Sequence, residues 1–159
     1  MIDMNDLDNI GGKKNALIVL CGAPGSGKST WGKDFAKKNN MVYVSTDEIR
    51  AEIGSGEPDQ SVSPQAFMIA EKRIRESLSM GKNAMIDATN CHGSDRRRFV
   101  KIARELNAYK IAVTFEVSRD ELIKRNQQRE RNVPLEVIDF FLDKYSRPST
   151  VNFDKVIVK

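Results

Sequence analysis

The chain has 159 residues, 40% of them apolar and 30% charged, with a formal net charge of +4 at pH 7. That length and balance fit one domain with its own core and exclude a fibrous or wholly disordered chain. No apolar run reaches a membrane span, the two cysteines frame neither a disulfide scaffold nor a zinc site, and the modest positive balance suits a polyanionic partner without requiring one.

Residues 1–13 begin Met1-Ile2-Asp3-Met4-Asn5-Asp6-Leu7-Asp8, which is acidic and has no signal-peptide pattern. They read as a frayed leader before a domain over 14–159. A reduced, cytoplasmic setting is expected, with no membrane association.

Ala16-Leu17-Ile18-Val19-Leu20-Cys21 is short and branched enough for a buried parallel strand. Gly22-Ala23-Pro24-Gly25-Ser26-Gly27-Lys28-Ser29 follows it and fits G-x-x-x-x-G-K-S/T, a phosphate-binding loop. Thr30 to Lys38 then reads as a helix, with Trp31 and Phe35 four apart on one face. Strand, glycine loop and helix together are the context the motif needs. The glycines let backbone N–H groups approach phosphate oxygens. The helix N-terminus favours an anion. Lys28 can reach β- and γ-phosphates, and the Ser29 hydroxyl can ligate Mg²⁺. ATP and Mg²⁺ are therefore the expected cofactors, held by Gly22, Ala23, Pro24, Gly25, Ser26, Gly27, Lys28, Ser29 and Thr30. The bland alternative is a glycine-rich turn that matches by accident, and the flanking elements weigh against it.

Met41-Val42-Tyr43-Val44-Ser45 is a second strand, leading into Thr46-Asp47-Glu48-Ile49-Arg50. A carboxylate at the carboxyl end of a strand sits where open α/β sheets bind ligands. Asp47 reads either as a chemical group or as the N-cap of a helix over 48–53. Gly54 to Ser63 is a loop. Ser63 caps the next helix and Pro64 lies in its first turn. Phe67, Ala70, Ile74 and Leu78 form its stripe, and Gly81 ends it. Asn83-Ala84-Met85-Ile86-Asp87 is a third strand ending in an acid, a pattern suited to holding Mg²⁺.

Ser94 to Leu106 is predicted as a helix capped by Ser94, with Phe99, Ile102, Ala103 and Leu106 inward. Arg96-Arg97-Arg98 opens it. Such a run is usually a solvated face, yet cations in a first turn oppose the helix dipole and hint at an anion. His92 is given no role. Ile111 to Val117 is a fourth strand. Ser118 and Glu121 form a capping box for a helix bearing Lys124, Arg125, Arg129 and Arg131. Arg125 and Arg129 share a face and read either as a solvated flank or as lid cations over a transferring phosphate. Val133-Pro134 breaks the chain. Val137, Ile138, Phe141 and Tyr145 form a last apolar helical face, and Val156-Ile157-Val158 a fifth strand. The sum is an α/β single domain of P-loop NTPase type. Its five-stranded parallel sheet is flanked by helices, with a helical lid and the first strand central. Asp47, Asp87 and Lys28 then share one rim. Asp47 is the best base for an acceptor hydroxyl, and Arg50, three residues on, could hold an anionic part of the acceptor.

Four segments together resemble the kinase domain of the phage polynucleotide 5′-kinases: Gly22–Ser29 with Thr30-Trp31, Thr46–Arg50, Asp87-Ala88-Thr89-Asn90, and Leu122–Arg129 with Val133-Pro134. The resemblance covers about residues 15–158. It implies ATP-dependent phosphorylation of the 5′-OH ends of DNA or RNA, hence nucleic acid as partner and end repair as setting. It implies Asp47, Lys28 and Arg129 as catalytic, with Arg125 and Arg129 on the donor phosphates. Ser29 and Asp87 would hold the metal. Asp47, Arg50, Asp87, Thr89 and Asn90 would line the acceptor side, with Arg50 on its 3′-side phosphate. In the phage pattern an Asp directly precedes Thr-Asn; here Ala88 stands there and Asp87 lies one earlier. Asp87 is thereby divided between metal ligation and acceptor positioning. The phosphatase action of the phage enzyme is not expected. A small-metabolite or nucleotide kinase is the rival within the class, and a non-catalytic NTP-binding module the rival outside it.

Overall fold

The structure, a computed structural model, describes residues 7–56, 60–130 and 132–159. The first six residues of the expected leader, part of the Gly54–Ser63 loop and Arg131 lie outside the described residues. The strands are β1 Ala16–Cys21, β2 Val42–Ser45, β3 Ala84–Asp87, β4 Tyr109–Thr114 and β5 Lys155–Val158. The helices from Lys28 onward are α1 Lys28–Lys38, α2 Thr46–Ile53, α3 Ser63–Ser79, α4 Gly93–Glu105, α5 Arg119–Gln127 and α6 Leu135–Lys144. All strand pairs are parallel, in the order β2-β3-β1-β4-β5. The strand that feeds the glycine loop is central, as the pattern predicts. No helix among the described residues is long and apolar enough to cross a membrane.

β1 is buried along its whole length, which explains its unbroken apolar run. Its side chains alternate between two cores. Leu17, Val19 and Cys21 join Ile74, Phe99 and Ile102 on the α3/α4 face. Ile18 and Leu20 join Phe35, Met85 and Val113 on the α1 face. Each fully buried Leu, Ile or Phe contributes about 1.5–3 kcal/mol, so the sheet is anchored from both sides. Gly32 lets α1 approach closely: a Cβ there would lie 2.6 Å from Leu20 Cδ1 and 3.1 Å from Met85 Sδ.

Several local expectations shift. The fourth strand starts at Tyr109, because Ala16 and Leu17 pair with Tyr109 and Lys110, and it ends at Thr114. Ser63 is not the cap of α3; a 3₁₀ turn over Gln60–Val62 runs straight into the helix. Ser94 is not the cap of α4. His92 is: its Nδ1 accepts from Ser94 N at 3.2 Å, and its own N–H donates to Asp95 Oδ2 at 3.2 Å. The residue given no role closes a capping box. Within the expected leader, Leu7 and Ile10 pack against the α1-face core.

Candidate active site

The glycine loop turns back on itself through left-handed backbone at Gly25 (φ +84°) and Gly27 (φ +92°), conformations in which a side chain is strained. Gly27 is the N-cap of α1 with no side-chain cap, so the first N–H groups of α1 are not claimed by a capping side chain. Gly22 N donates to Thr89 O at 2.8 Å, and a Cβ on Gly22 would fall 2.7 Å from Ser26 Oγ. Ser26 Oγ is buried without a partner. A tight turn of N–H groups at a helix start, with a lysine behind it, is a nest for phosphate oxygens.

Asp87 closes the floor of this nest. It is 3% exposed, and its Oδ1 lies 3.9 Å from Lys28 Nζ. Tyr43 donates its hydroxyl to Asp87 Oδ2 and also shares a hydrogen bond with the Ser29 side chain. Burial, followed by the charge and hydrogen bond of Asp87, pushes the Tyr43 phenol well above its ordinary range. Ser29, Tyr43 and Asp87 thus form one oxygen-lined chain beside Lys28. Hard oxygen donors of this kind fit Mg²⁺, which keeps few protein ligands and takes the rest from phosphate and water.

Asp47 stands in the first turn of α2. The cap there is Ser45, whose Oγ accepts from Glu48 N at 3.3 Å. Asp47 is therefore not spent on capping. Its side chain is 53% exposed and pairs with Arg50, whose side chain is 10% exposed. Lys33 to Glu48, at 3.1 Å, ties α2 to α1. The sheet register sets these groups side by side. Ser45 pairs with Asp87, and Asp87 with Leu20, so Asp47, Asp87 and the glycine loop leave one row of the sheet.

The loop after β3 is built differently from expectation. Asn90 was expected on the acceptor side. It is 1% exposed, with φ +44°, and its Nδ2 donates to Leu20 O at 3.0 Å. Its Nδ2 braces the end of β1, and its Oδ1 is buried without a partner. Thr89 is half-buried, and its carbonyl holds Gly22. Arg96, read as part of a solvated run, is 5% exposed. Its guanidinium donates to Asn90 O at 2.8 Å, Cys91 O at 3.1 Å and Ser146 Oγ at 3.2 Å. It fastens this loop to the segment after α6. No sequence signal separates Arg96 from its two neighbours, apart from the helical period that turns it inward beside Phe99 and Val100.

The lid arginines reach the loop. α5 ends at Gln127, so Arg129 stands on the following turn and not on the helix face expected for it. Arg125 Nη1 nonetheless donates to Ser26 O at 3.2 Å, and its Nε to Glu121 Oε1 at 3.0 Å. A Cβ at Gly25 would sit 3.9 Å from Arg129 Nη1. Asn126 clasps Val133 from both sides, donating to its O at 2.6 Å and accepting from its N at 2.8 Å. Ala23, Leu122 and Ile138 form a small core under the lid. A cavity of about 460 Å³ lies there, lined by Gly22, Ala23, Cys91, Phe115, Leu122 and Tyr145 among others. Burial pushes the Cys21 thiol up to about 12 and the Cys91 thiol up to about 11, so neither is a nucleophile at neutral pH.

A family model described as an AAA domain matches residues 17–148. The chain is 31% identical over 141 residues to the L-seryl-tRNA(Sec) kinase of Methanococcus maripaludis, covering 84% of this chain and 54% of that protein. It is 29% identical over 112 residues to a protein of Acanthamoeba polyphaga mimivirus described as a bifunctional polynucleotide phosphatase/kinase, covering 70% of this chain and 23% of the other. Among solved structures, a chain of the Pnkp1/Rnl/Hen1 RNA repair complex superposes with a TM-score of 0.73 at 26% identity, over 86% of this chain and 46% of that one. The chain spans about half the length of the first of these relatives and less of the others.

Proposed function

This chain belongs to the AAA domain family (AAA_33), with a P-loop kinase fold, and from that premise we propose that it is an ATP-dependent polynucleotide 5′-hydroxyl kinase. The observation that carries the reading is the Asp47–Arg50 pair. A carboxylate left out of helix capping and a guanidinium bound to it stand on the helix that follows Ser45, whose strand pairs with Asp87 in the row that also ends β1 before the glycine loop. A 5′-OH nucleotide end gives Asp47 a hydroxyl and Arg50 a phosphate.

In this reading the N–H groups of Gly25, Gly27, Lys28 and Ser29 and the Lys28 ammonium bind the β- and γ-phosphates, while the Ser26 N–H closes the turn onto Ala23 O. Ser29 and Asp87 would hold Mg²⁺, which would neutralise charge on the phosphates. Tyr43 fixes the Asp87 carboxylate toward that position. Asp47 takes the proton of the 5′-hydroxyl as its oxygen bonds to the γ-phosphorus. The bond to the β–γ bridging oxygen breaks and ADP departs. Arg125 and Arg129 stabilise the charge that develops on the transferring group. The Thr89 carbonyl holds the glycine loop through Gly22 N and the Asn90 amide holds Leu20 O, so both residues support the rim on which the acceptor would lie. The names of two relatives support the class: a polynucleotide phosphatase/kinase and a seryl-tRNA kinase both take an acceptor hydroxyl carried on nucleic acid. The second of these favours an alternative acceptor, the free side-chain hydroxyl of a serine esterified through its carboxyl to tRNA, on the strength of 31% identity over 141 residues.

The test is transfer of labelled γ-phosphate from ATP, with Mg²⁺, to a short oligonucleotide bearing a 5′-OH. A 5′-phosphorylated copy, seryl-tRNA and a metabolite panel run beside it. Label on the 5′-OH strand alone, reduced about 10²–10⁴-fold in Asp47→Ala, is the expected result. Label on seryl-tRNA alone moves the reading to the second acceptor. Transfer only to a metabolite sinks both, and ATP binding unchanged by Asp47→Ala with no transfer to anything supports a binding module.

A further inference from the structure

Arg96 and Arg98 are accounted for by their surroundings; Arg97 is not. Arg98 lies over the Phe67 ring, 4.7 Å from its centroid, and 3.8 Å from Glu71. Arg97 belongs to a different stripe. Arg97, Lys101 and Arg104 follow one another at i, i+4 and i+7, so they share one line along α4, and all three are exposed. Among the described residues none of them forms an ion pair. The nearby acids are engaged elsewhere: Asp95 in the cap with His92, and Glu105 with Arg75 at 2.9 Å. Like charges at these spacings each destabilise a helix by about 0.2–0.5 kcal/mol, and Arg97 also opposes the dipole of the first turns. Arg104, in the last turn, complements the helix dipole, but Arg97 and the repeated like charge gain nothing from the helix and suit an anionic partner.

Its placement narrows the partner. α4 starts at the rim that carries Asp87 and the glycine loop, and runs away from it. α3 packs against both α2 and α4, so the stripe lies about two helix spacings, on the order of 20 Å, from the Asp47–Arg50 pair. From Arg97 to Arg104 the helix rises about 10 Å. A stacked strand of nucleic acid places a phosphate about every 3.4 Å. Three cations over that length match about three successive phosphates.

We propose that Arg97, Lys101 and Arg104 bind the phosphodiester backbone of a polynucleotide acceptor, several nucleotides from its reacting end. This rests on the nucleic-acid reading of the site above and adds a second contact to it. The acceptor is thereby held at two points, its end at Asp47–Arg50 and its backbone on α4. Acceptors shorter than about six nucleotides do not reach the stripe, at about 3.4 Å per nucleotide.

The experiment uses the full chain and the triple variant Arg97→Gln/Lys101→Gln/Arg104→Gln. Binding of a 5′-phosphorylated 20-mer is read by fluorescence anisotropy between 0.05 and 0.3 M salt, and transfer kinetics are read on a 5′-OH 20-mer and on a nucleoside 3′-monophosphate. Counter-ion release of about 0.7 per single-strand phosphate gives up to roughly 50-fold weaker 20-mer binding in the variant at 0.15 M salt, and a salt slope lower by about 2. The KM for the 20-mer rises to match, while kinetics on the 3′-monophosphate stay unchanged. The charge-preserving variant Arg97→Lys/Arg104→Lys retains 20-mer binding. Equal 20-mer binding by the chain and the triple variant overturns the stripe even where transfer to the 5′-OH end stands. Equal loss on both acceptors overturns it as well, because the change then lies in the fold. Transfer confined to a metabolite overturns the kinase reading itself, and the stripe with it.

Discussion

Replacing Arg96 by methionine tests whether the loop after β3 is fastened in the way the structure shows. The guanidinium makes three hydrogen bonds, two of them to the carbonyls of Asn90 and Cys91. Hydrogen bonds from a charged donor contribute about 1.5–3 kcal/mol each, and each carbonyl left buried without a partner costs about 1–3 kcal/mol. Methionine fills much of the space and removes the cost of burying a charge, which offsets part of the loss. The net expectation is a loss of about 3 kcal/mol. With a urea m-value of about 2 kcal/mol/M, the unfolding midpoint moves down by about 1.5 M, read by circular dichroism. The effect extends to nucleotide binding, because Thr89 O holds Gly22 N and Asn90 Nδ2 holds Leu20 O. ATP binding, measured by calorimetry, weakens several-fold in parallel. Arg97→Met is the control: its side chain is exposed, so its midpoint stays within about 0.5 kcal/mol of the parent. Equal midpoints for the two variants would refute the reasoning, since adjacent arginines would then be equivalent.

Gly32→Ala gains up to about 1 kcal/mol of helix propensity but drives a methyl to within 2.6 Å of Leu20 Cδ1, an overpacking that costs about 1–3 kcal/mol. Urea unfolding should show a net loss of up to about 2 kcal/mol; a gain near 1 would mean that α1 is not pressed on the sheet. Native Cys91, with its thiol pushed up to about 11, should react with iodoacetamide at pH 8 about two orders of magnitude more slowly than the urea-unfolded chain, and equal rates would contradict its burial. The Arg147 hydrogen bonds hold the Glu116 carboxyl below the usual carboxylate range, with Tyr145 adding to them. The stability this brings is present above about pH 4.3 and is lost as pH falls through the lower folded value. Glu116→Gln should therefore melt below the parent at pH 7, with the gap closing by about pH 3; a gap that widens on acidification would reverse the sign.

The glycine loop and β1 were legible because their requirements are local. A fixed spacing, an apolar run and a helical face all appear within Ala16–Lys38. Asp87 was legible as an acid closing a strand and Arg125 as a cation on a late helix, whereas Arg129, expected on that helix, stands on the turn after it. Asp47 was ambiguous in sequence; Ser45 takes the cap and leaves the Asp47 carboxylate to its pairing with Arg50. Tyr43 was missed because its partner is 44 positions away, on a strand whose register no local pattern states. It lies diagonally across the sheet from Asp87, since Tyr43 pairs with Met85 two residues earlier. Arg96 was misread for the same reason: it is polar, so local rules send it outward, and the bond that buries Asn90 spans 70 positions. The carbonyls that draw them inward belong to β1 and to their own folded loop.

The shared row Ser45–Asp87–Leu20 works as a ruler for three loops at once. Inserting one residue into β1, β2 or β3 would slide that strand's loop by about 3.3 Å against the other two and turn its side chains to the opposite face. Asp87 would then leave the side on which Tyr43 and Lys28 meet it. Length change is therefore tolerated between the rulings and not on them. The turns at the opposite ends of the strands, such as residues 80–83 before β3, can grow or shrink without moving the row.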